Sequence, residues 1–298
     1  MFYIFYAFVW LITWLPLRVL YVLSDLVYLI IYYIIPYRKK IVRTNLTNSF
    51  PEKTTIELRS IERRFYRYFC DVFIETLYEM HMSKSEVLKR FEFKNPELII
   101  EQYDKGKSVL VMTAHYGNWE WASALSLVLP KDKILYGIYK KQSNKHFDKL
   151  MYDLRLRFTG KNIEKQDLLR AMIRQKRDGE LASYGMISDQ TPTAKTAEFW
   201  IPFLNQDTPV LVGTEQLAKK FDYPVLYFHM KRVKRGYYTC EFMPISLEPK
   251  LTDELEITKK YFELLEERIK EQPEIWLWTH KRWKHKRNTT SNTQKINE

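Results

Sequence analysis

The run SVLVMTA, residues 108–114, carries no charged side chain and stops at a histidine. An uncharged run of this length reads as a buried strand. Largely apolar stretches recur at 133–139, 181–187, 223–230 and 237–243, with Lys133 and Glu241 their only acidic or basic residues apart from a histidine. Around and between them lie helical patterns at 96–105, 118–129, 143–158, 165–178, 208–221 and 253–271. This alternation predicts an α/β fold, a mostly parallel sheet flanked by helices. Upstream, Ile56, Ile61, Phe65, Phe69, Phe73 and Leu77 recur at helical spacing. They predict a helix over 54–80, capped by Thr54 or Thr55, with a shorter one around 84–90. No Gly-, Pro- or Ser-rich linker divides residues 38–287, which read as one domain. The polar end, 288–298, reads as a disordered tail.

The amino terminus differs. Residues 1–17 carry no charge, Arg18 interrupts, and 19–37 continue apolar and aromatic with Asp25 alone charged. A secretory signal would open with basic residues and end at a small-residue cleavage site, and neither is present. Residues 1–37 therefore read as a membrane anchor, with a buried core helix pair as the alternative. The anchor is either a short or tilted span ending near Arg18, or a hairpin-like or interfacial element along the bilayer. Trp10, Trp14 and seven tyrosines before residue 38 suit a membrane–water interface. Arg38, Lys39, Lys40 and Arg43 follow directly, and the positive-inside rule places the rest of the chain in the cytoplasm.

Composition narrows the partners. Lys and Arg number 48 against 36 Asp and Glu, a net charge of +12 that calls for an anionic partner: nucleic acid, an acidic lipid surface or an acidic protein. Cys70 and Cys240 match no metal or redox spacing, which fits a reducing compartment. No G-x-G pair and no G-x-S-x-G elbow exist, so dinucleotide fingerprints, P-loops and serine-hydrolase elbows are excluded.

In open α/β sheets, sites lie outside the carboxyl ends of the strands. Three segments hold that position. His115 follows the first strand, Asp189 follows 181–187, and the segment after 133–139 leads through Asn144 to Arg155. His115 and Glu120 have the types of a general base and its orienting acid. Five helical residues turn the chain by about 500°, so the two converge only if His115 lies in a turn and Glu120 in the first helical turn. Gly117 permits that turn through its dihedral freedom, and Asn118 through capping. The same residues admit plainer readings: a hydrogen-bonded structural histidine, a turn aspartate at 189, a solvated helix face at Arg155.

Together these residues resemble the late acyltransferase family of lipid A biosynthesis, over nearly the whole chain. The resemblance is carried by an apolar start, RKKIVRTNLTNSFPE at 38–52, HYGNWEW at 115–121, and Asn144 with Arg155. SDQTP at 188–192, FWIPFL at 199–204, GTEQLAKK at 213–220 and WLWTHKRWKHK at 276–286 complete it. The histidine–acid box alone is weak; the same box followed by WLWTHKRWK is specific. Asn205 stands where the family usually has Gly, and Thr191 replaces a second acid.

The resemblance implies a glycerolipid-acyltransferase-like fold and an O-acyltransferase at the cytoplasmic face of the inner membrane. Acyl carrier protein would be the donor and a phosphorylated glycolipid, a lipid A precursor, the acceptor. No metal and no organic cofactor are implied. His115 and Glu120 would be catalytic; Gly117, Asn118, Asn144, Arg155, Asp189, Gln190, Arg282 and Lys284 would bind substrate. Arg155, or backbone N–H groups near Gly117, would stabilise the oxyanion. The cations of 281–287 beside Trp283 would hold phosphates at the membrane surface. The alternatives are an acyltransferase for an aminolipid or lysophospholipid, and a membrane-tethered nucleic-acid-binding protein. The last has charge but no recognised motif.

Overall fold

In the computed structural model the described residues are 2–158 and 160–287, and the tail read at 288–298 lies outside them. Among the described residues seven strands form one sheet: β1 (Phe91–Phe93), β2 (Val109–Thr113), β3 (Ile134–Tyr139), β4 (Lys161–Glu164), β5 (Ala182–Ile187), β8 (Val225–Lys234) and β9 (Tyr237–Ser246). A separate antiparallel hairpin joins β6 (Trp200–Phe203) to β7 (Gln206–Pro209). The sheet order is β1-β9-β8-β2-β5-β3-β4. Every pair is parallel except β8 with β9, so the sheet is mostly parallel and flanked by helices. Central β2 is buried at every position, as a strand covered on both faces requires.

The helices are α1 (Phe2–Ile12), α2 (Leu17–Leu29), α3 (Lys39–Ser49), α4 (Thr55–Tyr78), α5 (Lys84–Arg90), α6 (Glu97–Asp104), α7 (Lys145–Arg155), α8 (Leu168–Arg177), α9 (Gly213–Phe221) and α10 (Glu256–Glu271). Thr54 caps α4 in a capping box with Glu57. A π-helical turn, Ile30–Ile34, extends α2. One apolar core runs from Leu17 through the sheet to Trp278, so α2 and the sheet share it.

Two expected helices are corrected. The pattern at 118–129 gives no α-helix: the chain bends through 117–120, and a 3-10 helix covers Trp121–Leu127. Asn118 turns its side chain onto the Trp121 N–H at the bend. The pattern at 208–221 becomes the end of β7 followed by α9, because Thr208 and Pro209 pair with Ile201 and Trp200. Four short strands, β1, β4, β6 and β7, have no counterpart in the sequence pattern, since three or four residues carry too little periodicity.

Candidate active site

Register alone brings two strand ends together. Thr113 of β2 pairs with Ile187 of the neighbouring β5, so two residues further on His115 lies level with Asp189. Ser188 donates its N–H to the Thr113 carbonyl and extends the ladder past the strand ends. Asp189 then accepts three N–H bonds. His115 Nδ1 reaches Oδ1 at 2.8 Å, while the His115 backbone N–H (3.0 Å) and the Trp276 indole (2.9 Å) reach Oδ2. With Nδ1 bonded to a carboxylate, the proton belongs there and the Nε2 lone pair faces outward. The amide of Gln190, an exposed side chain, lies 3.2 Å from that Nε2.

The electrostatics agree. Burial disfavours the His115 imidazolium, but the Asp189 charge and hydrogen bond outweigh it, leaving His115 above its ordinary value. Burial would push Asp189 up, and the His115 charge and the donated hydrogen bonds hold it below its ordinary value instead. His280 is nearby. Burial and neighbouring cations bring it down to about 4, so it is neutral and accepts the Thr191 N–H.

Asp189, not Glu120, therefore orients the imidazole, which corrects the expected base–acid box. The reason is geometric. The bend at 117–120 points the Glu120 carboxylate toward α7, where Arg155 holds it with two bonds of 2.9 Å. The Trp119 indole donates to the same carboxylate at 3.0 Å, and its ring meets the His115 ring edge-on at 5.2 Å. Glu120 and Arg155 still act on His115 through their charges, in opposite senses. Both expected oxyanion donors are already engaged. Nε and Nη2 of Arg155 hold Glu120, and the Gly117 N–H donates to the Ile275 carbonyl at 3.0 Å.

Gly117 has φ +65°, and a Cβ there would lie 2.2 Å from the Met230 sulfur. Asn118 is fully buried, with its amide on Glu75 and its oxygen on the Trp121 N–H, so it shapes the loop and does not face a substrate. Asn144 is the exposed cap of α7 and accepts the N–H groups of His146 and Phe147. The cationic cluster at the carboxyl end is also corrected in part. Arg282 is fully buried, its Nη1 3.4 Å from Thr191 and its charge 5.7 Å from the Phe262 ring, because its segment folds inward behind Asp189. Burial lowers it to about 10, still a cation. Arg287 pairs with Asp207, and Lys284 is exposed.

Trp276 is the site residue that spacing did not reveal. It lies in the closing WLW segment, 87 positions from Asp189, and no local pattern announces that its indole will bond a carboxylate. The pairing arises because residues 275–277 run antiparallel beside the histidine loop: Tyr116 bridges Trp276, and Leu277 donates to the His115 carbonyl. Asn45, from the amino-terminal segment, donates to the Trp278 and His280 carbonyls and holds that strip in place. Among the described residues no three His, Cys, Asp or Glu side chains are grouped to hold a metal ion.

Comparison with known proteins places the chain among relatives of one kind. The model of the bacterial lipid A biosynthesis acyltransferase family matches residues 1–285. The lipid A biosynthesis lauroyltransferase of Escherichia coli is 25% identical over 286 residues, 92% of this chain and 91% of that one. A lipid A biosynthesis acyltransferase of Haemophilus influenzae is 27% identical over 251 residues, 83% of this chain and 78% of its own. A second from that organism is 24% identical over 238 residues, covering 79% and 72%.

Proposed function

Because the chain belongs to the bacterial lipid A biosynthesis acyltransferase family, we propose that it moves a fatty acyl chain from an acyl-carrier-protein thioester to a hydroxyl of a lipid A precursor. The work is done at the cytoplasmic face of the inner membrane, on a fold of the glycerolipid-acyltransferase type. The observation that carries this reading is the His115–Asp189 pair, with Nδ1 bonded to the carboxylate and Nε2 facing Gln190. As the acceptor hydroxyl displaces Gln190, Nε2 takes its proton while the oxygen attacks the thioester carbon. Asp189 keeps the tautomer and stabilises the imidazolium that forms. The tetrahedral oxyanion then collapses, the carbon–sulfur bond breaks, and the thiolate leaves with the proton returned from His115. The Gln190 amide, freed from Nε2, is a donor at hand for the oxyanion. The reaction needs no metal, organic cofactor or covalent enzyme intermediate.

The basic surplus of the chain supports both an acidic carrier protein and an anionic lipid. The test incubates the full chain with mixed acyl carrier proteins and membrane lipid and identifies the products by mass spectrometry. His115→Ala should lower transfer by about 10²–10⁴-fold, and half of the original rate remaining would overturn the mechanism. One observation favours a second acceptor. With Arg282 buried and Arg287 paired, fewer free cations face a bis-phosphorylated sugar. Acylation of an aminolipid or lysophospholipid in the same assay would move the acceptor while leaving the chemistry.

A further inference from the structure

We infer that the amino-terminal arm lies in the plane of an anionic lipid surface and does not cross it. The inference rests on how the arm packs and is independent of the acyl-transfer chemistry.

By length and composition α2 and its π-helical extension, Leu17–Ile34, could span a bilayer. Its packing argues otherwise. The inward face (Leu17, Leu20, Tyr21, Ser24, Tyr28, Tyr32) is buried. Its partners are charged groups of the catalytic domain. Tyr21 donates to Glu75 at 2.7 Å, Ser24 to Asp71 at 2.8 Å and Tyr32 to Glu62 at 3.0 Å. From the turn between β8 and β9, Arg235 grips both Asp25 and Asp71. That turn comes so close that a Cβ on Gly236 would lie 2.2 Å from the Tyr21 hydroxyl. Contacts running from Leu17 to Tyr32 cover about 24 Å of helix at 1.5 Å per residue. No length of α2 is left that lipid could surround. A span would draw Asp71, Glu75 and Arg235 toward hydrocarbon, where ionisable groups are costly.

The outward face is the reverse. Val19, Val22, Leu26, Leu29 and Tyr33 are exposed, Val22 at 61% and Tyr33 at 62%. An apolar stripe on one face of a helix, with basic residues beside it, is the pattern of an interfacial helix. The basic residues are present. Arg18 is exposed on α2 itself, Lys39 lies 5.9 Å from the ring of Tyr33 on that face, and Arg38 lies over Tyr37. Asp25, the acid on this helix, is engaged by Arg235. The complement of this surface is a membrane bearing anionic headgroups. Helix α1 is also folded back: Val9 packs with Leu77, Leu150 and Leu154, and the Trp14 ring stacks on His81 at 4.3 Å. Leu150 and Leu154 lie on α7, the helix whose Arg155 reaches Glu120. The lipid-facing arm and the site thus share a helix.

The experiment reads binding and depth, not turnover, so its failure would leave the acyltransferase reading untouched. Full-length protein is mixed with vesicles of phosphatidylethanolamine and phosphatidylglycerol. Val22→Glu with Tyr33→Glu, both on exposed positions, should weaken partitioning at least tenfold without moving the thermal transition. Cysteines placed singly at Val19, Val22, Leu26, Leu29 and Tyr33 then carry a probe quenched by lipid nitroxides; the native Cys70 and Cys240 are buried. All five should report one shallow depth. A depth that reaches the bilayer centre near Leu26 and falls away on both sides would overturn the inference in favour of a span. Unchanged vesicle binding by the double variant, with loss of a dimer instead, would overturn it in favour of a contact between two copies of the chain.

Discussion

At the scale of single residues, Asp189 governs what His115 can do. Its carboxylate accepts three N–H bonds, which favour the ionised form and hold it below its ordinary value. Asp189→Asn would place an NH₂ against those donors and favour the wrong tautomer. Turnover should drop by about 10²–10⁴-fold, with the acid limb of the pH–rate profile moving down as the charge that raises His115 is lost. In the unaltered protein the neutral base does the work. The acid limb of kcat/KM should therefore lie above 6.5, the ordinary histidine value, and a midpoint below it would contradict the assignment. Stability runs the other way. A histidine raised on folding stabilises fully below its unfolded value and loses that contribution as pH rises through the folded one. A depressed aspartate stabilises above its unfolded value and loses it as pH falls through the folded one. The pair therefore contributes most between about 3.8 and 6.5. Thermal denaturation of the native chain against Asp189→Asn across pH should show the gap widest in that window.

Glu120 belongs to another residue pair. Glu120→Gln and Arg155→Met should each destabilise, by about 1–3 kcal/mol given the partial exposure of Arg155, and the double variant should cost less than their sum. Strict additivity in the thermal transitions would mean that the two act apart. Activity should suffer as well, because the pair fixes the loop between His115 and the 3-10 helix.

At the scale of elements, the site is a meeting of two strand ends, one tight turn and one distant strip of chain. Gly117 makes the turn possible twice over, by its positive φ and by the missing Cβ beside Met230. Gly117→Ala should destabilise by more than the roughly 1–2 kcal/mol of a left-handed non-glycine residue, since the sulfur must also move. Adding Met230→Ala should restore only the steric part, which a two-variant denaturation series resolves. The hairpin of β6 and β7 shows the same logic. Leu204 and Asn205 both have positive φ, a two-residue turn of the type that matches strand twist. Asn205 occupies a position where glycine is usual because asparagine tolerates this conformation, and its amide also donates to the Ser49 carbonyl.

At the scale of the whole molecule, the net charge of +12 should shape encounter more than chemistry. Raising ionic strength from about 0.05 to 0.3 M shortens the screening length from about 14 to about 6 Å, so attraction between separated charges fades. The KM for an acidic carrier-protein donor should therefore rise with salt while kcat holds. A KM indifferent to salt would remove the electrostatic argument for that partner. Charge is spread over the chain, and the closing segment shows why a count is not a map. Arg282 and Lys284 are two residues apart, one fully enclosed and the other exposed.

The amino-acid sequence by itself determined the class and the longer elements, while the short strands and the 3-10 helix escaped it. The uncharged run 108–114 has the pattern of a covered strand, and its alternation with helices points to a mostly parallel sheet. It also determined that His115 and Asp189 both follow strands, and that Gly117 and Asn118 shape a turn. Only the tertiary structure decided which acid serves which base. Glu120 is five positions from His115 and Asp189 is 74, yet register between neighbouring strands delivers the distant one and a local bend removes the near one. The closing strip, the burial of Arg282 and the docking of α2 on charged partners were settled the same way. Local pattern encodes dihedrals and faces, whereas side-chain partners across the fold follow from strand order, which no short window of sequence contains.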